Sequence, residues 1–282
     1  MSRASVDSLE LEYETFGDPS RPAVLLISGL GSQLLGWTDG LCEEISAHGF
    51  HVIRFDNRDV GLSTKLEGAP GYTLSDMAAD AAGLLEALGI EVAHIVGASM
   101  GGMIAQLVAI EHPARTLTVT IVMSNLGGAD SVAADPALVA LLVQPPAETR
   151  EDRIEQSVAA TRVTWGRSFE EERSRARSTR AVDRSFYPEG TFRQFQAISA
   201  SESRREALGR VRAPVLVIHG DGDPLVPFAN AAKIVAAAPE GTELQVMKGV
   251  GHDLPPWEWA NIADGIAGLA AKLEPGVGVA ER

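Results

Sequence analysis

Ser99 sits in Gly97-Ala98-Ser99-Met100-Gly101, a G-x-S-x-G arrangement placed where an apolar run ends and a helical pattern begins. That spacing has a physical reason. A strand that turns sharply into a helix holds its corner residue in strained backbone geometry, and bulky residues two positions away would clash. The corner side chain then projects clear of the backbone, beside free N–H groups at the helix N-terminus that favour developing negative charge. A serine so placed suits nucleophilic attack on a carbonyl, provided that a base removes its proton.

Of the six histidines, His252 has the context of such a base. It lies in Lys248-Gly249-Val250-Gly251-His252-Asp253, a Gly-rich loop after the last strand pattern, where an α/β sheet places working groups. His94 and His219 fall inside or at the end of strand patterns and read as core; His48, His51 and His112 lie near element ends without glycine punctuation. A carboxylate should orient the imidazole. Gly220-Asp221-Gly222-Asp223-Pro224 offers two, and Asp223 is the stronger candidate because the following proline holds it in extended geometry. Asp221, between glycines, reads as a turn-stabilising rival. The chain order is Ser, Asp, His.

Elements that would position these groups follow from hydropathy. Apolar runs at 23–28, 50–55, 92–97, 117–123, 214–220 and 242–248 read as strands, mostly covered on both faces as in a parallel sheet. Helical patterns occupy roughly 37–48, 74–88, 100–112, 228–238 and 256–272, with Thr73-Leu74-Ser75-Asp76 as a helix entry and Gly89 as an exit. The alternating N-terminal stretch supplies one or two antiparallel edge strands. The fold class is therefore α/β. Between about Gly127 and Gly209 no strand is expected, while EDRIEQSVAATRVTWG and SFEEERSRARSTRAV read as helices; the expected division is a core of 1–126 and 210–282 with a helical insertion at 127–209. The tail EPGVGVAER is expected to fray.

Six of the fifteen aromatics lie in that insertion, and Trp165, Phe186 and Phe192 are its candidate substrate contacts, although packing of the insertion on itself is the commoner role for such residues. The formal net charge of −14 argues against nucleic-acid partners. Charge is uneven, however. Between Arg150 and Arg212 lie 14 of the 24 basic and 10 of the 38 acidic residues, a local surplus of four positive charges. Solvated helix faces explain it most simply, and attraction of acidic substrates is the sharper alternative. The single cysteine, Cys42, reads as core. Neither metal-ligand spacing nor a phosphate loop is present, so no cofactor or metal is expected. With no apolar run near 20 residues and no apolar leader, the expected location is the cytoplasm, away from membrane; a homo-oligomer is left open. Charged residues in Arg54-Phe55-Asp56-Asn57-Arg58-Asp59-Val60-Gly61-Leu62-Ser63 read as an ion-paired turn that buttresses the catalytic edge.

With these residues in place the sequence resembles the α/β-hydrolases over nearly its whole length. LGWTDGLCEEISAHGFHVIRFDNRDVGLST is further similar to bacterial esterases related to aclacinomycin (anthracycline) methylesterase. The resemblance implies an eight-stranded, mostly parallel sheet with a helical cap between strands six and seven. It implies a Ser99–Asp223–His252 triad and an oxyanion hole made by the backbone N–H groups of Leu30 and Met100. Many relatives carry His-Gly where this chain has Ser28-Gly29. Ester hydrolysis through an acyl-enzyme is the leading expectation. Lactone or enol-lactone opening, carbon–carbon bond hydrolysis, thioester hydrolysis or acyl transfer by the same residues, and non-catalytic ligand binding, are the alternatives.

Overall fold

The inner apolar runs become strands because both of their faces find cover, whereas the run at 242–248 lies at the sheet edge and stays partly exposed. The computed structural model describes residues 2–68 and 71–273. In it β1 (Ser2–Val6) and β2 (Leu9–Phe16) form an antiparallel hairpin, and β3 (Ala23–Ile27), β4 (His51–Phe55), β5 (Ala93–Ala98), β6 (Thr116–Val122), β7 (Val215–Gly220) and β8 (Glu243–Met247) are mutually parallel. The eight strands run in the order β1-β2-β4-β3-β5-β6-β7-β8, with β2 antiparallel to β4. The fold is thus an eight-stranded, mostly parallel α/β sheet.

Successive side chains of a strand point to opposite faces, and each face has its own helices. Val24 and Leu26 pack with Leu41, Cys42 and Ile45 of α1 (Asp39–Ala47). Leu25 and Ile27 face Met77, Ala81 and Leu84 of α2 (Leu74–Ala87) and Ile104 and Val108 of α3 (Met100–Glu111). Thr73 and Asp76 close a reciprocal capping box at the start of α2, and Gly89 follows its end at φ +69°. Cys42 is buried, and burial pushes its thiol up to about 12.

Five helices occupy the chain between β6 and β7: α4 (Pro136–Val143), α5 (Arg150–Thr164), α6 (Glu171–Arg184), α7 (Pro188–Ser199) and α8 (Arg205–Leu208), with no strand there. After β7 come α9 (Ala229–Ala237), on the α2 and α3 face, and α10 (Trp259–Ala270), on the α1 face. The sequence patterns located α5 and α6 but not α4 or α7. In α4 every residue is apolar, so no period marks it, and Asp135 capping the Ala137 N–H with Pro136 at the first position starts it. In α7 the glycine that discourages a helical reading is needed: a Cβ on Gly190 would stand 2.1 Å from the Asp59 carbonyl oxygen. The expected fraying of EPGVGVAER concerns residues outside those described. No helix among the described residues is long and apolar enough to cross a membrane.

The basic surplus of this helical stretch is only partly a matter of solvated faces. Arg150–Asp183 and Arg162–Glu171 are exposed pairs within it. Four other arginines reach carboxylates outside it: Arg173 to Asp253, Arg180 to Asp39, Arg184 to Asp56 and Arg193 to Asp59. The Arg184–Asp56 pair, at 2.7 Å, has side chains 8% and 0% exposed. Burial pushes the Asp56 carboxyl up, opposed by the Leu34 and Leu62 N–H groups and by Arg184. Burial also acts on Asp59, but the Arg193 hydrogen bonds, the Leu66 N–H and the Arg193 charge outweigh it and hold that carboxyl below its ordinary range.

Removing one member of a buried pair strands the other charge, at a cost of about 3–5 kcal/mol. Asp56→Asn is expected to lower stability by about that amount in urea unfolding. Combining it with Arg184→Met should restore more than half of the loss, whereas simple addition of the two single effects would show that the pair is not coupled.

Candidate active site

Ser99 joins β5 to α3 with φ 58° and ψ −121°, a conformation that non-glycine residues rarely adopt. Its surroundings hold it there. The Ser99 N–H donates to the Val122 carbonyl (2.9 Å), and the Ser99 carbonyl accepts from the Gly102 N–H (2.9 Å) and the Ser124 hydroxyl (2.8 Å). The flanking glycines are required by contact. A Cβ on Gly97 would lie 1.9 Å from the Gly101 carbonyl oxygen, one on Gly101 2.0 Å from that of Ile27, and one on Gly102 2.6 Å from Ser124 Cβ. The start of α3 is thereby pressed against the end of β3.

That contact brings the loop after β3 to the serine. A Cβ on Gly29 would stand 3.1 Å from Ser99 Cβ. Among the described residues, neither the Leu30 nor the Met100 N–H has a hydrogen-bond acceptor, and both residues line the same cavity as Ser99. The loop that begins at Ser28 is braced by several contacts. The Ser28 carbonyl accepts from Asn57 Nδ2 (3.1 Å), the Gly31 N–H donates to Gln194 Oε1 (2.8 Å), and the Leu34 N–H donates to Asp56 Oδ1 (2.7 Å). Gln33 Nε2 donates to the Ala181 and Ser185 carbonyls while its Oε1 accepts from Arg184. The charged turn after β4 therefore does buttress this edge, and it does so through side chains of α6 and α7 as well.

His252 and Asp223 meet at the ends of β8 and β7. His252 Nδ1 lies 2.7 Å from Asp223 Oδ2, which assigns the imidazole proton to Nδ1 and leaves the Nε2 lone pair available. Asp223 Oδ1 accepts from the Leu225 and Val226 N–H groups (2.9 and 2.8 Å), so the carboxylate is held on both oxygens. Asp221 instead accepts from the Gly249 N–H at 2.6 Å and ties the two loops together. Beneath them His219 is fully buried and donates from Nε2 to the Val226 carbonyl; burial holds its basicity below the ordinary histidine value. The His252 N–H donates to the Thr164 carbonyl at the end of α5 (2.8 Å), and Gly251 packs so closely there that a Cβ would lie 2.3 Å from the Trp165 carbonyl oxygen. Ser99 and His252 line one cavity without a hydrogen bond between hydroxyl and imidazole; such bonds often tighten only around substrate.

The shared cavity has a volume of about 750 Å³. Trp165 lines it, but Phe186 and Phe192 do not. They line an adjoining cavity of about 690 Å³ and are 39% and 54% exposed. Phe186 is covered by the Arg153 guanidinium at 4.0 Å, and Phe195, three residues beyond Phe192 and about 60° round α7 from it, lines the Ser99 cavity. Residue type alone gave no signal for that phase. Sequence patterns also passed over Arg177 of α6, which lines the Ser99 cavity, and Gln33 and Gln194, whose only clue is their place on a loop and a helix that must meet. Among the described residues no group of three or more His, Cys, Asp or Glu side chains is arranged to hold a metal ion.

Residues 22–258 match the family model described as alpha/beta hydrolase fold. The chain is 32% identical over 278 residues to the rhodomycin D methylesterase DauP of Streptomyces sp. (strain C5), covering 88% of this chain and 91% of that protein. Among solved structures it is similar to the meta-cleavage product hydrolase CumD of Pseudomonas fluorescens IP01, with a TM-score of 0.78, 22% identity and 95% of each chain covered. It is also similar to the enol-lactonase of Burkholderia xenovorans LB400, with a TM-score of 0.77, 22% identity and 96% and 100% coverage.

The contacts at Gly101 give a direct test of the serine turn. Gly101→Ala is expected to lower stability by about 1–3 kcal/mol or more, because the new methyl meets backbone that has no room to move. Chemical denaturation measures it; a neutral substitution would mean that α3 is not pressed on β3 as described.

Proposed function

Because this chain belongs to the alpha/beta hydrolase fold family, we propose that it is a serine hydrolase that cleaves a carboxylic ester of a small or medium apolar molecule. One observation carries the reading. The strained Ser99 shares a cavity with His252, and the imidazole is itself oriented by Asp223 at 2.7 Å.

Ser99 Oγ attacks the ester carbonyl carbon as His252 Nε2 takes the hydroxyl proton. The carbonyl oxygen gains negative charge and accepts from the Leu30 and Met100 N–H groups, which have no acceptor among the described residues. The tetrahedral intermediate collapses with breakage of the ester C–O bond, and His252 gives its proton to the departing alcohol. Water then attacks the acyl-enzyme, again losing a proton to His252, and the acid leaves as Ser99 Oγ is reprotonated. Asp223 keeps the ring in one tautomer throughout and stabilises its cation. Helices α4 to α8, over 127–209, act as a cap on the core formed by 1–126 and 210–282, and contribute Trp165 and Phe195 to the apolar wall.

Ester rather than another acyl compound is favoured by the similarity to a methylesterase over most of both chains. The enol-lactonase and the meta-cleavage product hydrolase share the fold at lower identity, so lactone opening and carbon–carbon cleavage are the second reading.

Ser99→Ala is expected to lower p-nitrophenyl ester turnover by ~10⁴-fold or more, and to abolish labelling by a fluorophosphonate. Asp223→Asn should keep the fold and lose activity on the order of 10⁴-fold through the wrong imidazole tautomer. Ester turnover by the Ser99→Ala protein within tenfold of the parent would sink the assignment.

A further inference from the structure

Helix α6 carries five arginines, and four of them have carboxylate partners: Arg173 with Asp253, Arg175 with Glu155, Arg180 with Asp39 and Arg184 with Asp56. Arg177 is the exception. It makes no hydrogen bond or ion pair among the described residues, yet it lines the cavity that holds Ser99. Its guanidinium carbon lies 5.5 Å from the Trp165 ring centroid, and one Nη comes within 3.8 Å of where a Cβ on Gly36 would sit. The other charged groups lining the cavity are already engaged. His252 faces Asp223, and Asp253 takes both Nη groups of Arg173 at 3.0 and 2.5 Å. Arg173, one turn earlier on α6, also lies over the Trp165 ring, at 4.1 Å.

Such an arrangement leaves one uncompensated cation on an otherwise mostly apolar wall. Burial lowers the Arg177 basicity, the Asp253 charge opposes that, and the like charge of Arg173 adds to it. Arg177 is half-buried with its guanidinium at the cavity wall, and a planar guanidinium without a partner among the described residues is satisfied best by an oxygen anion that accepts two of its N–H groups.

We propose that Arg177 forms an anion subsite of the Ser99 cavity, so that the substrate is an acyl compound carrying a second, anionic oxygen group, a carboxylate by preference, away from the carbonyl that reacts. This rests on the hydrolase reading above and amends its substrate from a wholly apolar molecule to one with an apolar body and a single anionic group. The scissile ester binds at Ser99, Leu30 and Met100, while the remote carboxylate pairs with Arg177 between Gly36 and Trp165. The apolar body of the substrate spans the cavity between them. Arg177 selects the substrate and Arg173 does not, because its guanidinium is already occupied by Asp253.

Binding tests this without turnover. Calorimetric titration of the Ser99→Ala protein with 4-phenylbutyrate and with its neutral isostere 4-phenylbutyramide is expected to show the carboxylate bound about 10- to 100-fold tighter, as a charge-assisted bidentate pair predicts. Adding Arg177→Gln should erase the difference, and adding Arg177→Lys should keep part of it, with folding of each protein checked by thermal unfolding. Equal affinities, no binding of the carboxylate, or a preference that survives Arg177→Gln would overturn the subsite. In turnover, the parent protein should prefer mono-4-nitrophenyl adipate over 4-nitrophenyl hexanoate in kcat/KM, and Arg177→Gln should collapse that ratio. Cleavage of neither ester would count against the hydrolase reading alone, since the titration decides the subsite separately.

Discussion

The Arg184 guanidinium reaches Asp56 Oδ2 from α6; that oxygen also accepts from the Leu62 N–H, and Asp56 Oδ1 accepts from the Leu34 N–H. One buried carboxylate thus joins three pieces of chain: the loop after β3, the turn after β4 and the helices that follow β6. Arg193 with Asp59 repeats the device one turn of loop away, with Gly190 letting α7 close on the Asp59 backbone. Pairs so buried give up hydration that nearly offsets their attraction, so their net stabilisation is small. Their effect is on placement. Sliding α6 by a residue would leave Arg184 and Asp56 each charged and alone, and that penalty sets the position of the Leu30 N–H relative to Ser99.

A second constraint is steric. The serine turn works only because β5 and α3 approach within atomic contact at Gly97 and Gly101, and because β3 ends against the same helix start. The positive φ of Ser99 is the conformational cost of that packing, held in place by the Ser99 N–H donating to the Val122 carbonyl and the Ser124 hydroxyl donating to the Ser99 carbonyl. Strain and close packing are two aspects of one local geometry.

Much of this was legible in the amino-acid sequence because each feature leaves a short-range mark. Strands β3 to β8 are apolar runs bounded by turn residues, and Thr73 with Asp76 announces α2 three residues apart. The serine turn shows itself through glycine spacing, and the Asp223 loop through Asp-Pro. What escaped depends on long-range phase. PALVALLV gives no period from which to read α4, and Pro188 with Gly190 disguises α7. Nothing local distinguishes Phe195, which lines the Ser99 cavity, from Phe192, which lines the adjoining one. The basic surplus of 150–212 was visible, but not that Asp39, Asp56, Asp59 and Asp253, distant along the chain, would take most of it across the boundary. Nor did the pattern single out Arg177, since an arginine without a partner looks like any other until its neighbours are placed.

The hydrogen bond from the His252 N–H to the Thr164 carbonyl has a bearing on how proteins of this architecture diversify. The helices between β6 and β7 look like a replaceable module, inserted between two sheet strands and free to vary. Here the last turn of α5 also holds the backbone of the proposed base, and the Gly251–Trp165 contact leaves no slack between them. Exchanging the whole stretch for one from another hydrolase would therefore misplace the imidazole unless the donor ends its helix at the same height. Specificity in this lineage is better remodelled by point changes along α4 and α7, which touch the cavities but not the His252 loop, than by recombination of entire helical segments.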